Sequence, residues 1–295
     1  MAALGTGETV KRWIPIVVFL FLSLRATAHP GVGIVTDSRG NVYYTDLKQV
    51  WKISPDGNKT IAVPRVHTHE LYVDASDNLF GEHLWYEGDA TGKWGHRVWR
   101  LSPDGKLTDV IPARTGFREN YQDWSFVRDG AGNMYWAARS TQTVIRKRAP
   151  DGTVTDLTRN AAFQDVRWMA ASPDGVVYLT DGADLRQVAP DGRVTTRARN
   201  LKERSVTQIT VGESHVLMGV WGDGQQNVYV AVYGARMVKK ITPDGRVSVV
   251  ARTSFPWSPT GGMVAPNGDL WLLECSQANS VRVRRITPDG QARTY

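Results

Sequence analysis

The sequence predicts an all-β protein, a six-bladed β-propeller whose blades each have four antiparallel strands. Six Pro-Asp-Gly turns that follow a stretch of alternating apolar residues recur at similar intervals, and the seventh Pro-Asp-Gly of the chain, from Pro173, falls in the other hairpin turn of its repeat. The prolines of these turns are Pro55, Pro103, Pro150, Pro190, Pro243 and Pro288. They lie 48, 47, 40, 53 and 45 residues apart, a period that suits a four-stranded blade better than a helical hairpin. No segment after residue 28 shows a helical period.

Each repeat carries two hairpin signals, which divide it into four strands. The Pro-Asp-Gly turn joins the third strand to the fourth, because Pro presets φ for a turn and Gly accepts a positive φ. A turn of the Asp-x-x-Gly type at residues 37–40 joins the first strand to the second, and its equivalents begin at Asp74, Asp129, Ser172, Asp223 and Ala265. β-branched and aromatic residues dominate the flanks of both turns, as strands require.

The repeats are expected to close into one ring. A single four-stranded sheet cannot bury both of its faces, so six sheets must pack around a shared axis. The first inner strand begins near Val32 and the last outer strand falls at residues 291–295. Every blade is therefore predicted to be contiguous, with no strand exchanged at closure. The longest gap, between Pro190 and Pro243, is expected to hold a loop near residues 202–214 and no extra blade.

The first 28 residues have the pattern of a secretory signal peptide. Lys11 and Arg12 precede an apolar run at residues 14–24, and Ala-Thr-Ala at residues 26–28 precedes His29. The propeller is predicted to occupy residues 29–295. The apolar run is too short to span a bilayer, so no stable membrane anchor is expected after cleavage. We therefore predict a secreted or periplasmic protein.

The cysteine count and the distribution of charge limit the cross-links and partners expected of this chain. The single cysteine, Cys275, excludes an internal disulfide. Without the signal segment the chain has 33 Lys and Arg against 28 Asp and Glu, and the basic residues form no stripe with interleaved aromatics. Nucleic acid is not expected as a partner. A monomer with a small-molecule or carbohydrate ligand is the prediction.

Propeller geometry separates two faces of the ring. The lower face carries the standardised hairpin turns, whereas the upper face carries the variable loops between blades and between second and third strands. All six histidines fall on the upper face or at its edge: His29, His67, His69, His83, His96 and His215. Histidine beside carboxylates is usual material for metal ligation or proton transfer. Solvated surface histidines remain the alternative.

Blade two concentrates the candidate ligands. Glu70 stands at an inner-strand position where most blades have a small residue, and a carboxylate beside the axis is costly unless it is paired or coordinates an ion. A half-shell for a divalent ion (calcium, zinc or magnesium) is predicted from His67, His69, Glu70, Glu82 and His83. His-x-His in a strand places both rings on one face, although one packed and one solvated ring is also possible.

Other upper-face residues complete the candidate site. His69, His83, Arg167 and His215 are the catalytic candidates, with His215 expected across the tunnel mouth. Arg167 would bind an anion, and Tyr121, Trp124 and Tyr233 would contact substrate, since aromatic rings suit sugars or flat apolar ligands. Further aromatic residues on this face are Trp85, Tyr86, Trp94, Trp168 and Trp257. For the last two, packing in the core is an equally good interpretation.

Residues 30–295 resemble the NHL-repeat and SMP-30/gluconolactonase-like superfamily of six-bladed propellers. The resemblance rests on Pro-Thr-Gly-Gly-Met-Val from Pro259, Gly-Asn-Val-Tyr-Tyr-Thr-Asp from Gly40, and the Pro-Asp-Gly turns. It implies a metal-assisted hydrolase of the lactonase type or a lyase. Lactonases of the superfamily bind a divalent cation through a Glu in the opening inner strand, whereas residues 30–34 of this chain contain none and Glu70 is the substitute one blade on.

The resemblance also suggests how the remaining ligands would be supplied. For a lactonase-type site, Asn120 or Asp123 together with Asp165 would complete the shell. Amidating lyases of the NHL type use three His on zinc with Tyr and Arg. His69, His83, His215, Tyr121 and Arg167 match that set in residue type. A non-catalytic propeller that presents this face to a protein, peptide or glycan partner remains the alternative.

Overall fold

The computed structural model describes residues 30–88, 90–117, 127–139, 141–159, 161–203 and 216–295. Their strands form six sheets of four antiparallel strands each. The predicted all-β, six-bladed propeller is therefore confirmed. The predicted signal segment 1–28 and the candidate residues Tyr121, Trp124 and His215 lie outside the described residues. No helix in the described ranges is long and apolar enough to cross a membrane.

The first three blades follow one another along the chain. Blade one comprises β1 (Ile34–Thr36), β2 (Val42–Thr45), β3 (Val50–Ile53) and β4 (Lys59–Val63). Blade two comprises β5 (Leu71–Val73), β6 (Leu79–Tyr86), β7 (Trp94–Leu101) and β8 (Leu107–Phe117). Blade three comprises β9 (Val127–Arg128), β10 (Met134–Arg139), β11 (Thr143–Arg148) and β12 (Val154–Asp156).

The last three blades repeat the arrangement. Blade four comprises β13 (Val166–Ala171), β14 (Val177–Asp181), β15 (Asp184–Val188) and β16 (Val194–Ala198). Blade five comprises β17 (Val220–Gly222), β18 (Val228–Val232), β19 (Met237–Ile241) and β20 (Val247–Arg252), with a 3-10 turn at Tyr233–Ala235. Blade six comprises β21 (Trp257–Val264), β22 (Leu270–Ser276), β23 (Val281–Ile286) and β24 (Ala292–Thr294).

Strand order within every sheet follows chain order, so each blade is built from contiguous chain. The outermost strand of blade six, β24, pairs with β23 of the same blade. Blade six meets blade one through an apolar cluster that includes Ile34, Tyr44, Met263 and Leu273. Closure by side-chain packing, without an exchanged strand, is therefore confirmed.

The lower-face turns are held by a recurring carboxylate. Asp37 Oδ1 accepts the backbone N–H of Asn41 at 2.8 Å, and its Oδ2 accepts the Asn41 amide at 2.7 Å and the Tyr43 hydroxyl at 3.1 Å. The same Asp, Asn and Tyr arrangement recurs in blades three and five, at Asp129 and Asp223. In three blades the polar groups of the first turn thus make the same hydrogen bonds, which explains why these turn sequences resemble one another.

The second strand of blade two is longer than the second strand of blade one. Strands β2 and β6 start at equivalent positions, five residues after their turn aspartates, but β2 has 4 residues and β6 has 8. Four additional residues at 3.3 Å each extend the β6–β7 hairpin by roughly 13 Å toward the upper face. The β6–β7 hairpin of blade two therefore extends beyond the equivalent strands of blade one on the upper face.

Candidate functional site

The inner strands of all six blades line a central tunnel. Its described part encloses about 230 Å³. Apolar residues such as Val35, Val127 and Met263 form much of the lining, and the charged residues in the described lining are Glu70 and Arg128. The predicted position of Glu70 beside the axis matches this placement. In the described part of the tunnel, a ligand would meet one carboxylate and one guanidinium among mainly apolar residues.

At the top of blade two, Glu82 is paired with His69. Glu82 is 3 % exposed, and its Oε1 accepts the backbone N–H of His69 at 3.0 Å and lies 3.3 Å from His69 Nδ1. Around it, the Glu82 N–H donates to Thr68 Oγ1 at 3.0 Å and the Glu82 carbonyl accepts the Trp99 indole N–H at 2.8 Å. Strand β6 and the start of β5 therefore hold the carboxylate against the imidazole in one orientation.

Burial controls the protonation of this His69/Glu82 pair. Desolvation raises the pKa of Glu82 from 4.5 to about 8, against a smaller lowering by the hydrogen bond from the His69 backbone. Desolvation lowers the pKa of His69 from 6.5 to about 4. Both shifts favour the uncharged forms. A buried acid and a buried base in contact, with opposite shifts, are the usual elements of proton-transfer chemistry.

His67 and His83 form a second pair beside the His69/Glu82 pair. The His67 backbone N–H donates to His83 Nδ1 at 2.9 Å, and His67 Nδ1 lies 3.0 Å from the Leu47 carbonyl oxygen. These partners assign the ring protons to Nδ1 in His67 and to Nε2 in His83. The rings of His67 and His69 meet edge to face with centroids 4.7 Å apart. The predicted side-by-side placement of the His-x-His rings is therefore observed.

The predicted five-residue metal shell is not assembled as one unit. Glu82 and His83 are neighbours on β6, so their side chains leave opposite faces of the strand. Glu82 serves His69, His83 serves His67, and Glu70 lines the tunnel. Among the residues with described positions, no group of three or more His, Cys, Asp or Glu side chains converges to hold a metal ion. A divalent metal stays a prediction.

The carbonyl of His69 joins blade two to blade one. It accepts the backbone N–H of Val32 at 2.9 Å and that of Gly33 at 2.7 Å. Gly33 permits this approach, because a Cβ there would lie 2.8 Å from the Leu71 nitrogen. The opening segment of blade one therefore holds the backbone of His69 directly.

Arg167 lies on a bulge at the upper end of β13. The register jumps from Val166 paired with Asp181 to Met169 paired with Leu179, so two residues of β13 oppose one of β14. Bulges at sheet rims redirect side chains. The Arg167 side chain is 47 % exposed, and its Nε contacts Asp165 Oδ1 at 2.7 Å.

A second guanidinium lies beside Arg167. Arg139, the last residue of β10, donates through Nη2 to the carbonyl of Val166. Arg139 of blade three and Arg167 of blade four, with the single carboxylate of Asp165, suit an anionic group of a ligand better than Arg167 alone does. Arg139 was not singled out from the sequence, and the available signal was its place at the end of a second strand.

Two upper-face residues of blades five and six are interior. Tyr233 is 7 % exposed in a cluster with Met218 and Leu272, and burial raises its pKa to about 12. Its predicted contact with substrate stays a prediction. Glu274 is fully buried and accepts hydrogen bonds from the Nε of Arg282 and of Arg284, each at 2.7 Å. This carboxylate is satisfied within its own blade.

No protein-family model and no curated protein sequence matches the chain. Solved structures do match its fold. They include virginiamycin B lyase from Staphylococcus aureus, 13% identical over 90% of this chain and 84% of that chain, with a TM-score of 0.53. Regucalcin, a calcium-binding protein from Agrobacterium tumefaciens, is 16% identical over 84% and 82%, with a TM-score of 0.53. A gluconolactonase from Xanthomonas campestris is 14% identical over 86% and 81%, with a TM-score of 0.54.

At these identities the likeness shows the fold alone. The chain is a six-bladed β-propeller of the architecture shared by these lyase, lactonase and regucalcin structures. The fold that the sequence resemblance implied is confirmed. What the chain acts on has to be argued from its own residues.

Proposed function

We propose that this propeller binds a small molecule or sugar-like ligand at its tunnel mouth and acts on it as a hydrolase or lyase. The observation that carries the proposal is the carboxylate of Glu82, 3 % exposed and directed at His69. Burying an ionisable carboxyl costs free energy, so a fold gains nothing from it unless the group has a use. Structures of the same fold that are named as a lyase and a gluconolactonase support this class of chemistry.

In the proposed mechanism Glu82 orients His69 and His69 moves the proton. The Glu82 carboxyl is protonated at neutral pH because its pKa is raised to about 8, and its Oε1 accepts a hydrogen bond from the Nδ1–H of His69, which leaves Nε2 as the basic nitrogen of the ring. With a pKa of about 4, His69 is unprotonated at neutral pH and can act as a base. In lactone hydrolysis it would take a proton from water as hydroxide adds to the carbonyl carbon. The ring C–O bond then breaks, and the proton returns to the leaving oxygen.

A lyase reaction would use the same pair differently. His69 would take a proton from carbon, the bond to the leaving group would break, and the proton would pass to that group. In both reactions His69 accepts a single proton and then returns it, so the charge of the His69/Glu82 pair is the same before and after the reaction. Arg139 and Arg167 supply the positive charge that would hold an anionic part of the ligand.

Two further parts of the proposal rest on the sequence. Export to a secreted or periplasmic location is proposed from the pattern of residues 1–28. A divalent ion, calcium, zinc or magnesium, is proposed as cofactor, but the described donors do not form a shell and no step above is routed through it. Metal analysis of the purified mature protein decides this, since a stoichiometric ion supports the cofactor and its absence removes it.

The decisive experiment compares matched carboxylate variants. Wild type, Glu82→Gln and His69→Ala are assayed for acid release from a panel of aldonolactones in a pH-stat, and Asp156→Asn serves as an exposed control in the pair with Arg146. Loss of general-base assistance is expected to lower kcat about 100-fold or more in both site variants and not in the control. Equal activity in all four proteins would refute the role of the pair. Ligand binding without turnover in wild type would favour the non-catalytic alternative.

A further inference from the structure

The β6–β7 hairpin carries a row of rings on the face opposite to Glu82. Alternate residues of β6 pair across to β7 as Gly81 with Trp99, His83 with Arg97 and Trp85 with Gly95. Because strand side chains alternate, these pairs share one face, and Glu82 and Leu84 occupy the other. The row runs from the core, where Trp99 is fully buried, up to Trp85 on the raised part of the hairpin.

Two glycines let the indoles lie flat on the sheet. A Cβ at Gly81 would come within 2.2 Å of the Trp99 ring, and a Cβ at Gly95 would come within 1.8 Å of Trp85 Cε2. Trp99 uses this arrangement to fill the core between blades one and two, in a cluster with Tyr43 and Val50. Trp85 repeats the arrangement where the ring is only partly buried. The Trp85 indole, supported by Gly95, therefore presents a flat apolar surface above the core.

The rim of this surface is polar. His83 stacks beside Trp85, with ring centroids 5.3 Å apart and planes 27° from parallel. Since His83 Nδ1 accepts the His67 backbone N–H, His83 offers an Nε2–H donor. Next along the face, Arg97 Nη1 binds Asp109 Oδ1 at 2.9 Å, with side chains 27 % and 34 % exposed. Donors and a carboxylate acceptor thus flank the aromatic surface.

We propose that Trp85 and His83, flanked by Arg97 and Asp109, form a stacking subsite for a carbohydrate ring. A pyranose has an apolar C–H face that packs on an aromatic ring and hydroxyl edges that both donate and accept hydrogen bonds. The surface offers a flat indole, two donors and one acceptor, which matches that combination. The subsite lies on the face of β6 opposite to the His69/Glu82 pair, so it goes beyond the proposed tunnel-mouth chemistry.

The ligand can be a free oligosaccharide or one chain of an extended polysaccharide, and the test separates the two. Affinity gel electrophoresis through xylan, mannan, hydroxyethyl cellulose and dextran measures polymer binding. Titration calorimetry with xylohexaose, mannohexaose and cellohexaose measures the free form. Wild type is expected to be retarded by at least one polymer or to bind at least one hexaose. Trp85→Ala is expected to weaken that binding at least 10-fold.

Matched glycine variants test the support beneath the ring. Gly95→Ala is expected to displace the indole and weaken binding at least 10-fold, whereas Gly224→Ala, whose Cβ meets open space, is expected to bind as wild type does. Should Gly95→Ala fail to fold, Trp85→Phe keeps a smaller ring and is expected to bind with intermediate affinity. Asp156→Asn, in the exposed pair with Arg146, is expected to bind as wild type does. The proposal is overturned if wild type binds none of these carbohydrates or if Trp85→Ala binds as well as wild type.

Discussion

Glu82 Oε1 receives two groups of the same residue, the backbone N–H of His69 at 3.0 Å and the ring nitrogen Nδ1 at 3.3 Å. The carboxylate therefore fixes both the main chain and the imidazole of His69. A shared acceptor of this kind leaves the ring little freedom to rotate. The pair therefore has a fixed geometry in the described part of the upper face.

The Glu82 carboxyl should make stability fall with rising pH above neutrality. In the folded protein its pKa is about 8, whereas the ordinary value is 4.5, so the native state holds a proton that the unfolded chain loses. His69, lowered from 6.5 to about 4, has the opposite effect between pH 4 and 6.5. The two effects largely cancel between pH 4.5 and 6.5. Between pH 6.5 and 8 only Glu82 of the two contributes, and the free energy of unfolding is expected to fall by about 2 kcal/mol.

Urea unfolding across this pH range measures the effect. Glu82→Gln cannot titrate at this position, so its unfolding free energy should vary less between pH 6.5 and 8 than that of wild type. His67 and His83 are present in both proteins, and burial lowers the pKa of each, so their contribution cancels in the comparison. Parallel pH dependences in the two proteins would show that Glu82 is ionised in the fold.

Turnover should be lost in acid. Protonated His69 cannot accept a proton, and its pKa is lowered to about 4 by burial. The proposed activity is therefore expected to fall below about pH 4 and to persist between pH 5 and 7, where an ordinary histidine with a pKa of 6.5 would already be losing activity. The pH profile of kcat/KM checks this. An acid limb centred near 6.5 would point to a different base.

Gly81→Ala should destabilise the propeller. Its Cβ would come 2.2 Å from Trp99, a side chain that is fully buried and cannot move outward. Overpacking of this kind typically costs about 1–3 kcal/mol. Thermal and urea unfolding measure the loss, and Gly224→Ala in open space is the control. A Gly81→Ala protein as stable as the control would mean that blades one and two separate easily.

Glu274→Ala should destabilise the protein strongly. It leaves Arg282 and Arg284 without the buried carboxylate that binds both, and breaking a buried ion pair costs about 3 kcal/mol or more. Asp156→Ala breaks an ion pair whose side chains are 40 % and 49 % exposed and should cost less than about 1 kcal/mol. Urea unfolding compares the two variants. Similar losses would contradict the assignment of Glu274 to a structural role.

The repeat made the fold predictable, whereas the site was predicted only in part. Turn chemistry at Pro55 and its equivalents is local, so hairpins, blade number and contiguous blades follow directly from it. The blade-two candidates lie close together in one blade, but the prediction assigned Glu82 and His83 to one shell, and alternation on a strand separates their side chains. The bulge that exposes Arg167 and brings it beside Arg139 depends on register, which the sequence pattern does not reveal.

The hydrogen bonds from Val32 and Gly33 to the His69 carbonyl make the boundary between blades one and two part of the proposed site. The backbone that carries the imidazole is positioned by its neighbour as well as by its own sheet. A small shift of blade one would therefore move the His69 imidazole before either blade lost the hydrogen bonds between its own strands. The geometry of the proposed base would thus depend on the packing between blades one and two, and loosening of that one contact would abolish the proposed activity while the six sheets remained folded.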